Sequence, residues 1–228
     1  MKLAVAQLRE CSAADRQRLS ATTGGLRDIL VDSIRATADQ LDLLPHRAPS
    51  STVAVVRQLG STIDTLLHGD STIVVGGPDG SYTVSTDNRL DGLDLDETRR
   101  YRKRLSEGSG YDETHRHVLR SLQHEQLRYR NRPNGYWTAE ADPIAAEYAI
   151  TSIPSAADVP WMALATDGAA ERIPAVGASW DQVAACDSDM LNRLLERCHH
   201  WEADTDPSGR IAPRAKRHDD KSLVVAIL

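Results

Sequence analysis

The chain has 228 residues, of which 40% are hydrophobic and 26% are charged, and its formal net charge is −6. An acidic chain lacks the basic surface that displaces counterions from phosphates, which argues against nonspecific binding to nucleic acid. No apolar run approaches the roughly 20 residues of a membrane-spanning helix, so we expect no membrane partner.

The first part of the chain is predicted to form helices and then a block of short strands. A helix is expected over the first eight or so residues. A second is expected over residues 26–41, where apolar residues recur at helical spacing and Thr23 is a candidate N-cap. The β-branched runs that follow are short and separated by turn residues such as Gly69-Asp70, which predicts an antiparallel meander. Its strands would cover residues 51–57, 63–68, 71–76 and 82–85.

The second part alternates helices with two further strands. Helices are predicted to begin at Asp94 or Asp96, at Asp112 and at Asp142-Pro143, because an acidic residue before a helical pattern is a favoured N-cap. Further helices are predicted over residues 179–185 and 190–202, and strands over residues 161–166 and 222–228. No internal repeat or interdomain linker is evident, so we predict one domain over residues 1–228, with α+β layering.

Two segments in the last third of the chain carry candidate ligands for a metal ion. In the first, an apolar run of strand length ends in Thr166-Asp167-Gly168. In the second, Asp219-Asp220 precedes the β-branched run of the last predicted strand. Each segment places a carboxylate at the mouth of a buried strand, where a hard divalent cation would find the oxygen ligands that it prefers. If the two strands are antiparallel neighbours, the Asp167 and Asp219 carboxylates should lie within about 10 Å of each other.

These two segments resemble the metal-binding end of the protein phosphatase 2C (PPM) family, in which one strand ends in Ser/Thr-Asp-Gly and the last begins with Asp-Asn/Asp-x-Thr/Ser. The likeness covers most of the chain, from about residue 26 onwards. Residues 49–56, 63–67 and 68–71 are similar to the family's central run, and residues 131–137 with Asp142-Pro143 are similar to a bacterial subgroup. The resemblance implies a four-layer α-β-β-α sandwich of two antiparallel sheets flanked by helices.

The resemblance also implies a metal-dependent serine/threonine protein phosphatase that holds Mg²⁺ or Mn²⁺, with two ions in a complete member. Such ions lower the pKa of a bridging water and neutralise phosphoryl oxygens. The partner would be a phosphorylated protein substrate. The implied metal site comprises Asp167 and Asp219 as direct ligands, with Gly168, Asp220 and Glu171. Asp70 would support these ligands indirectly. Separately from the resemblance, Arg214 and Arg217 are predicted to bind phosphate because they precede the candidate ligand Asp219 in the sequence.

One part of the family pattern is not visible in the sequence. Family members carry an early strand with a metal-binding Asp, and then an Asp-Gly element whose aspartate holds the two ions together. Two hypotheses follow: an upstream segment is missing and the chain is an N-terminally incomplete phosphatase, with or without activity of its own, or the chain is a non-catalytic regulatory or scaffold module that binds a protein partner. A sandwich without its first strands would expose a sheet edge, so we also expect self-association.

Simpler explanations compete with each candidate site. Asp167-Gly168 could end a strand in an ordinary turn, and Asp219-Asp220 could be solvated charges. Cys198-His199-His200 is similar to a metal cluster in composition only, because no residue with ligand spacing is apparent. The arginines at positions 128, 130 and 132 would form a solvated face, or would contact the protein partner of a non-catalytic module.

The cysteine and lysine content bears on where the protein works. The three cysteines are widely spaced, which indicates free thiols in a reducing compartment and a cytoplasmic location. They are Cys11, Cys186 and Cys198. Arginine greatly outnumbers lysine, and with abundant alanine and aspartate this composition is typical of a GC-rich bacterial genome.

Overall fold

The computed structural model describes residues 3–5, by their backbone alone, and residues 24–228. Residues 3–5 form strand β1 (Leu3–Val5), so the prediction of a helix at the start of the chain is wrong there. This strand runs parallel to β8 (Lys221–Ile227), and a pairing between such distant segments leaves no local pattern in the sequence. The candidate cap Thr23 and the thiol of Cys11 lie outside the described residues.

The larger sheet has five strands in the order β1-β8-β7-β4-β5. Apart from the parallel β1–β8 pair, its neighbouring strands are antiparallel. Its remaining strands are β4 (Thr72–Gly76), β5 (Tyr82–Thr86) and β7 (Trp161–Ala165). The central position of β7 and β4 explains why their sequences are apolar on both faces.

The smaller sheet has three antiparallel strands in the order β2-β3-β6, namely β2 (Val53–Leu59), β3 (Thr62–His68) and β6 (Ile150–Ser152). The predicted single meander is therefore wrong: β2–β3 and β4–β5 are hairpins in different sheets. The chain crosses between the sheets at Gly69, where φ is 81°. A Cβ there would lie 2.6 Å from Thr52 Cγ2, so both the backbone conformation and the packing require glycine.

Helices flank both sheets largely where the sequence predicts them. Asp112 caps its helix by accepting a hydrogen bond from His115 N–H at 2.7 Å. In the described part of the chain, no helix is long and apolar enough to cross a membrane. The α-helices are α1 (Leu26–Leu41), α2 (Asp96–Ser106), α3 (Glu113–Gln126), α4 (Asp167–Ala170), α5 (Arg172–Ala175), α6 (Trp180–Ala184) and α7 (Ser188–His200). Short 3₁₀ helices cover Asp91–Leu93, Pro143–Tyr148 and Ala156–Asp158, and a π-helical segment, Trp201–Thr205, follows α7.

Buried apolar side chains define four layers. Between the sheets, Ile63 and Leu67 of the smaller sheet pack with Ile73 and Met162 of the larger one. Val74, the next residue along β4, faces the opposite way and packs with side chains of α5 and α7. On the other side of the molecule, α1 covers the outer face of the smaller sheet. The architecture is therefore the predicted α+β sandwich of two antiparallel sheets flanked by helices.

Candidate functional site

The pairing of β7 with β8 brings the two acidic segments to one rim of the larger sheet. Ala165 lies opposite Leu223 in the antiparallel register. Just beyond this pair, Thr166 N–H donates to Ser222 O at 3.1 Å, and Ser222 N–H donates to Thr166 Oγ1 at 3.0 Å. The prediction that these strands are antiparallel neighbours is confirmed.

Asp167 and Asp219 reach this rim from different elements. Asp167 is the first residue of α4, and Asp219 lies in the loop that leads into β8. Gly168 is buried where α4 contacts the loop that carries Asp219 and Asp220. A Cβ on Gly168 would lie 2.6 Å from the Asp220 carbonyl oxygen and 3.0 Å from Asp219 Cβ. Glycine is therefore what allows α4 and the start of β8 to approach so closely.

Replacing Gly168 with alanine should push the start of β8 away from α4. Because the clashing atom is backbone oxygen, we expect the free energy of unfolding, measured by urea titration, to fall by about 1–3 kcal/mol. Gly92→Ala is the matched control, since a Cβ at Gly92 meets nothing within 4 Å. Equal stability of the two variants would contradict the close approach.

A cavity of about 400 Å³ opens at this rim, and acidic side chains surround much of it. Four acidic residues predicted from the sequence are in its lining: Asp70, Asp167, Glu171 and Asp219. Asp220 is exposed and lies outside that lining. The structure thus gathers residues from β3–β4, α4 and the loop before β8, and their role as metal ligands stays a prediction.

Two more acidic residues line the cavity and were not predicted. Asp87 follows β5, is 5% exposed and is held by hydrogen bonds from Arg89. Asp91 begins a 3₁₀ helix and accepts a hydrogen bond from Arg102 at 3.1 Å. An acidic residue directly after a strand is the same signal that marked Asp167, so Asp87 was within reach of sequence reasoning, whereas no comparable pattern marks Asp91.

The acidic side chains of the cavity repel one another. Burial raises the pKa of Asp167 to about 6, and the neighbouring charges of Asp70 and Asp219 add to the shift. Burial also raises the pKa of Asp70, with further contributions from Asp91, Asp219 and Glu171. A cation placed among these carboxylates would relieve the repulsion, which is the electrostatic property expected of a site for a divalent metal ion.

A lysine already contacts Asp219, one of the two predicted direct ligands. The Lys216 ammonium lies 2.7 Å from Asp219 Oδ1, and this hydrogen bond is the largest cause that raises the pKa of Lys216. Asp220 N–H donates to the same oxygen at 3.0 Å. Since Lys216 is mostly exposed, its side chain can swing away from Asp219 at small cost.

The two predicted phosphate-binding arginines lie in different environments. Arg214 lines the cavity but is buried, and its guanidinium donates to Asp206 Oδ2 at 2.7 Å and to the carbonyl oxygens of Ala212, Glu202 and Asp206. These internal acceptors argue against phosphate binding by Arg214. Arg217 is exposed, and its carbonyl oxygen accepts a hydrogen bond from Arg214 Nε at 3.0 Å. Phosphate binding by Arg217 stays a prediction.

Comparison with known proteins finds similarity in structure. No protein-family model and no curated protein matches the sequence. A serine-threonine phosphatase 2C from Toxoplasma gondii is similar over 86% of this chain and 67% of its own, with 14% identity and a TM-score of 0.45. A serine/threonine phosphatase from Staphylococcus aureus is similar over 76% of this chain, with 12% identity and a TM-score of 0.41.

A further bacterial serine phosphatase is similar over 76% of this chain, with 11% identity and a TM-score of 0.40. The chain spans 60% of the length of each of these two bacterial proteins. At such identities the likeness is one of fold alone. The ligands and the activity of this chain therefore have to be inferred from its own residues.

Proposed function

We propose that the chain binds Mg²⁺ or Mn²⁺ in the acidic cavity and hydrolyses phosphoserine or phosphothreonine esters in proteins. The observation that carries this proposal is the convergence of Asp70, Asp167, Glu171 and Asp219 on one cavity. The order of these residues in the sequence, in segments that resemble the metal-binding end of protein phosphatase 2C, supports the same reaction.

The donor set of the cavity fits a hard divalent cation. Carboxylate oxygens are the ligands that Mg²⁺ and Mn²⁺ prefer. Burial raises the pKa values of Asp167 and Asp70, and the negative charges of neighbouring carboxylates add to both shifts. Asp167 and Asp219 would hold the metal, because they lie beside the paired ends of β7 and β8 at the rim. Glu171, one turn further along from Asp167, has an exposed side chain, but its Oε2 lies 2.5 Å from Arg172 Nη2 and has to leave this ion pair to bind a metal.

The protein's own part in the reaction is to hold charges and orient the substrate. When bound, divalent ions of this kind lower the pKa of a coordinated water and neutralise phosphoryl oxygens. Asp167 and Asp219 are fixed by the β7–β8 pair, so their carboxylates need little reorganisation to act together. Lys216 occupies Asp219 Oδ1 and has to release it before that oxygen can bind a cation.

The test is hydrolysis of a phosphothreonine peptide by the purified chain, with Mn²⁺ or with EDTA. We expect release of phosphate with Mn²⁺ and none with EDTA. Isothermal titration with Mn²⁺ in parallel separates metal binding from turnover. Mn²⁺ binding without hydrolysis would favour the alternative, a non-catalytic regulatory or scaffold module, whereas failure to bind Mn²⁺ would contradict the metal site itself.

The basic stretch expected to contact a partner in that alternative is partly internal. Arg130 is 9% exposed and lies 2.6 Å from Glu140 Oε1, with further hydrogen bonds to Ser50 and Ala48. Its guanidinium therefore joins the loop before β2 to Glu140 and does not face solvent. Arg128 and Arg132 are exposed.

A further inference from the structure

A second group of potential metal ligands lies where α7 passes into the π-helical segment. His199 is at the end of α7, Glu202 is in the segment Trp201–Thr205, and His218 is in the loop before β8. One ligand atom from each of the three residues lies within 4.8 Å of the other two. No local pattern in the sequence links His199 to His218, because only the fold brings these two residues together.

The contacts within this cluster leave ligand atoms available. His199 Nδ1 is buried and has no hydrogen-bond partner among the described residues. The Glu202 side chain is fully buried, and its Oε1 accepts no hydrogen bond from the residues that the structure describes. Arg172 Nε lies 3.7 Å and Arg214 Nε lies 4.0 Å from this oxygen. Within this part of the chain, Glu202 Oε1 thus has ion-pair partners but no hydrogen bond, and His199 Nδ1 has neither. A buried polar atom without a hydrogen bond is costly, so His199 Nδ1 above all calls for an explanation.

The spacing suits a small tetrahedral ion. His218 Nδ1 lies 3.4 Å from Glu202 Oε2, and the rings of His199 and His218 have centroids 4.5 Å apart. Ligand distances of roughly 2.0–2.2 Å around tetrahedral Zn²⁺ put neighbouring ligand atoms about 3.3–3.6 Å apart. Only small side-chain movements would bring the three atoms to that geometry. Burial, helped by the charges of His218 and Lys221, lowers the pKa of His199, which favours the neutral imidazole that metals bind.

We propose that His199, Glu202 and His218 bind Zn²⁺, at a site distinct from the acidic cavity. Two imidazoles and one carboxylate form a ligand set that zinc favours and that leaves a fourth position for water. The carboxylates of the cavity instead suit Mg²⁺ or Mn²⁺. The π-helical segment adds weight, because such segments are rare and frequently occur at functional sites.

Nearby cations set a limit on the affinity. Lys221 Nζ lies 2.7 Å from Glu202 Oε2 and also donates to the Asp219 carbonyl oxygen at 3.0 Å. Arg172 and Arg214 add two further positive charges near the same carboxylate. Zn²⁺ therefore competes with Lys221 for Glu202, and we expect a reversible site that is weaker than a structural zinc centre.

The experiment titrates the chelator-stripped full chain with Zn²⁺ against a chromogenic chelator, with excess Mg²⁺ to occupy the carboxylates of the cavity. We expect one Zn²⁺ per chain, and binding at least about tenfold weaker in His199→Asn and in His218→Asn. The matched control is His200→Asn: His200 is the next residue on the same helix, is exposed and is not part of the cluster. It should bind Zn²⁺ as the wild type does.

Melting temperatures with and without Zn²⁺ distinguish loss of a ligand from loss of folding. Zn²⁺ should raise the melting temperature of the wild type and of His200→Asn but not of His199→Asn. Asp167→Asn should retain Zn²⁺ binding, which separates this site from the proposed function of the cavity. The proposal is overturned if the wild type binds no Zn²⁺, or if His199→Asn and His218→Asn bind it as tightly as His200→Asn.

Discussion

Asp167→Asn is expected to abolish Mn²⁺-dependent hydrolysis and, at the same time, to stabilise the metal-free protein. Asn keeps the shape of the side chain but removes a charge that a divalent ion needs and that Asp70 and Asp219 repel. Since loss of residues that merely support metal ligands costs 10–100-fold, loss of a direct ligand should cost at least about 100-fold in activity. Mn²⁺ affinity, measured by isothermal titration, should fall with it.

The gain in stability should depend on pH in a defined direction. The pKa of Asp167 is raised from 3.8 to about 6 in the folded state, so ionisation of this group opposes folding. The penalty is complete above about pH 6 and disappears below about pH 3.8. After allowance for partial exposure, Asp167→Asn should raise the free energy of unfolding at pH 7.5 by about 1–2 kcal/mol, with no gain near pH 4.

Asp39→Asn is the matched control for both measurements. Asp39 is exposed on α1, which packs on the smaller sheet, and it is not in the lining of the cavity. This variant should keep wild-type activity, Mn²⁺ affinity and stability. Wild-type hydrolysis by Asp167→Asn would remove Asp167 from the metal site.

Glu202→Gln is expected to cause the largest loss of stability of any single replacement considered. Glu202 is fully buried, with Lys221 Nζ at 2.7 Å and two arginines within 4.0 Å. Glutamine fills the same space but leaves the Lys221 ammonium as an uncompensated buried cation, whereas Arg214 keeps its ion pair with Asp206 and Arg172 keeps its ion pair with Glu171. Breaking a buried pair in this way typically costs 3–5 kcal/mol, and here we expect about 3–5 kcal/mol in the free energy of unfolding.

Thermal unfolding provides the measurement for this prediction. For a chain of this size, each 1 kcal/mol lowers the melting temperature by about 2–4 °C, so the variant should melt about 6–20 °C below the wild type. Glu196→Gln, on the exposed side of α7, should change stability by less than about 0.5 kcal/mol. A melting temperature of Glu202→Gln within about 2 °C of that of Glu196→Gln would correspond to a difference on the order of 1 kcal/mol or less. That result would contradict the prediction that the Glu202 carboxylate stabilises the buried network.

The parts of the fold that sequence reasoning recovered have strong local patterns. The helix over residues 26–41 has regular apolar spacing, and β7 and β8 are continuous apolar runs. The parts it missed depend on distant partners. β6 is short and exposed, and it is a strand because β3 pairs with it. β1 likewise owes its conformation to β8.

The same division holds for the candidate sites. Asp167 and Asp219 were identified from strand-end motifs, because a carboxylate at a strand end has a predictable position. Arg214 was predicted to bind phosphate because it precedes Asp219, yet its guanidinium is paired with Asp206 in the buried network. The His199–His218 contact was not foreseeable, since a loop residue meets a helix end only after β8 has joined the larger sheet.

The crossing at Gly69 has a consequence for how the molecule folds. β3 and β4 are consecutive in the chain but belong to different sheets, so each has a hairpin partner on one side and a distant partner on the other. In the distant pairs, Leu66 lies opposite Thr151 and Thr72 lies opposite Ala165. Long loops have to close before these contacts form, which is typical of domains that fold in milliseconds to seconds. The acidic cavity, which needs both β7 and the loop before β8, therefore forms late, after the sheets have assembled.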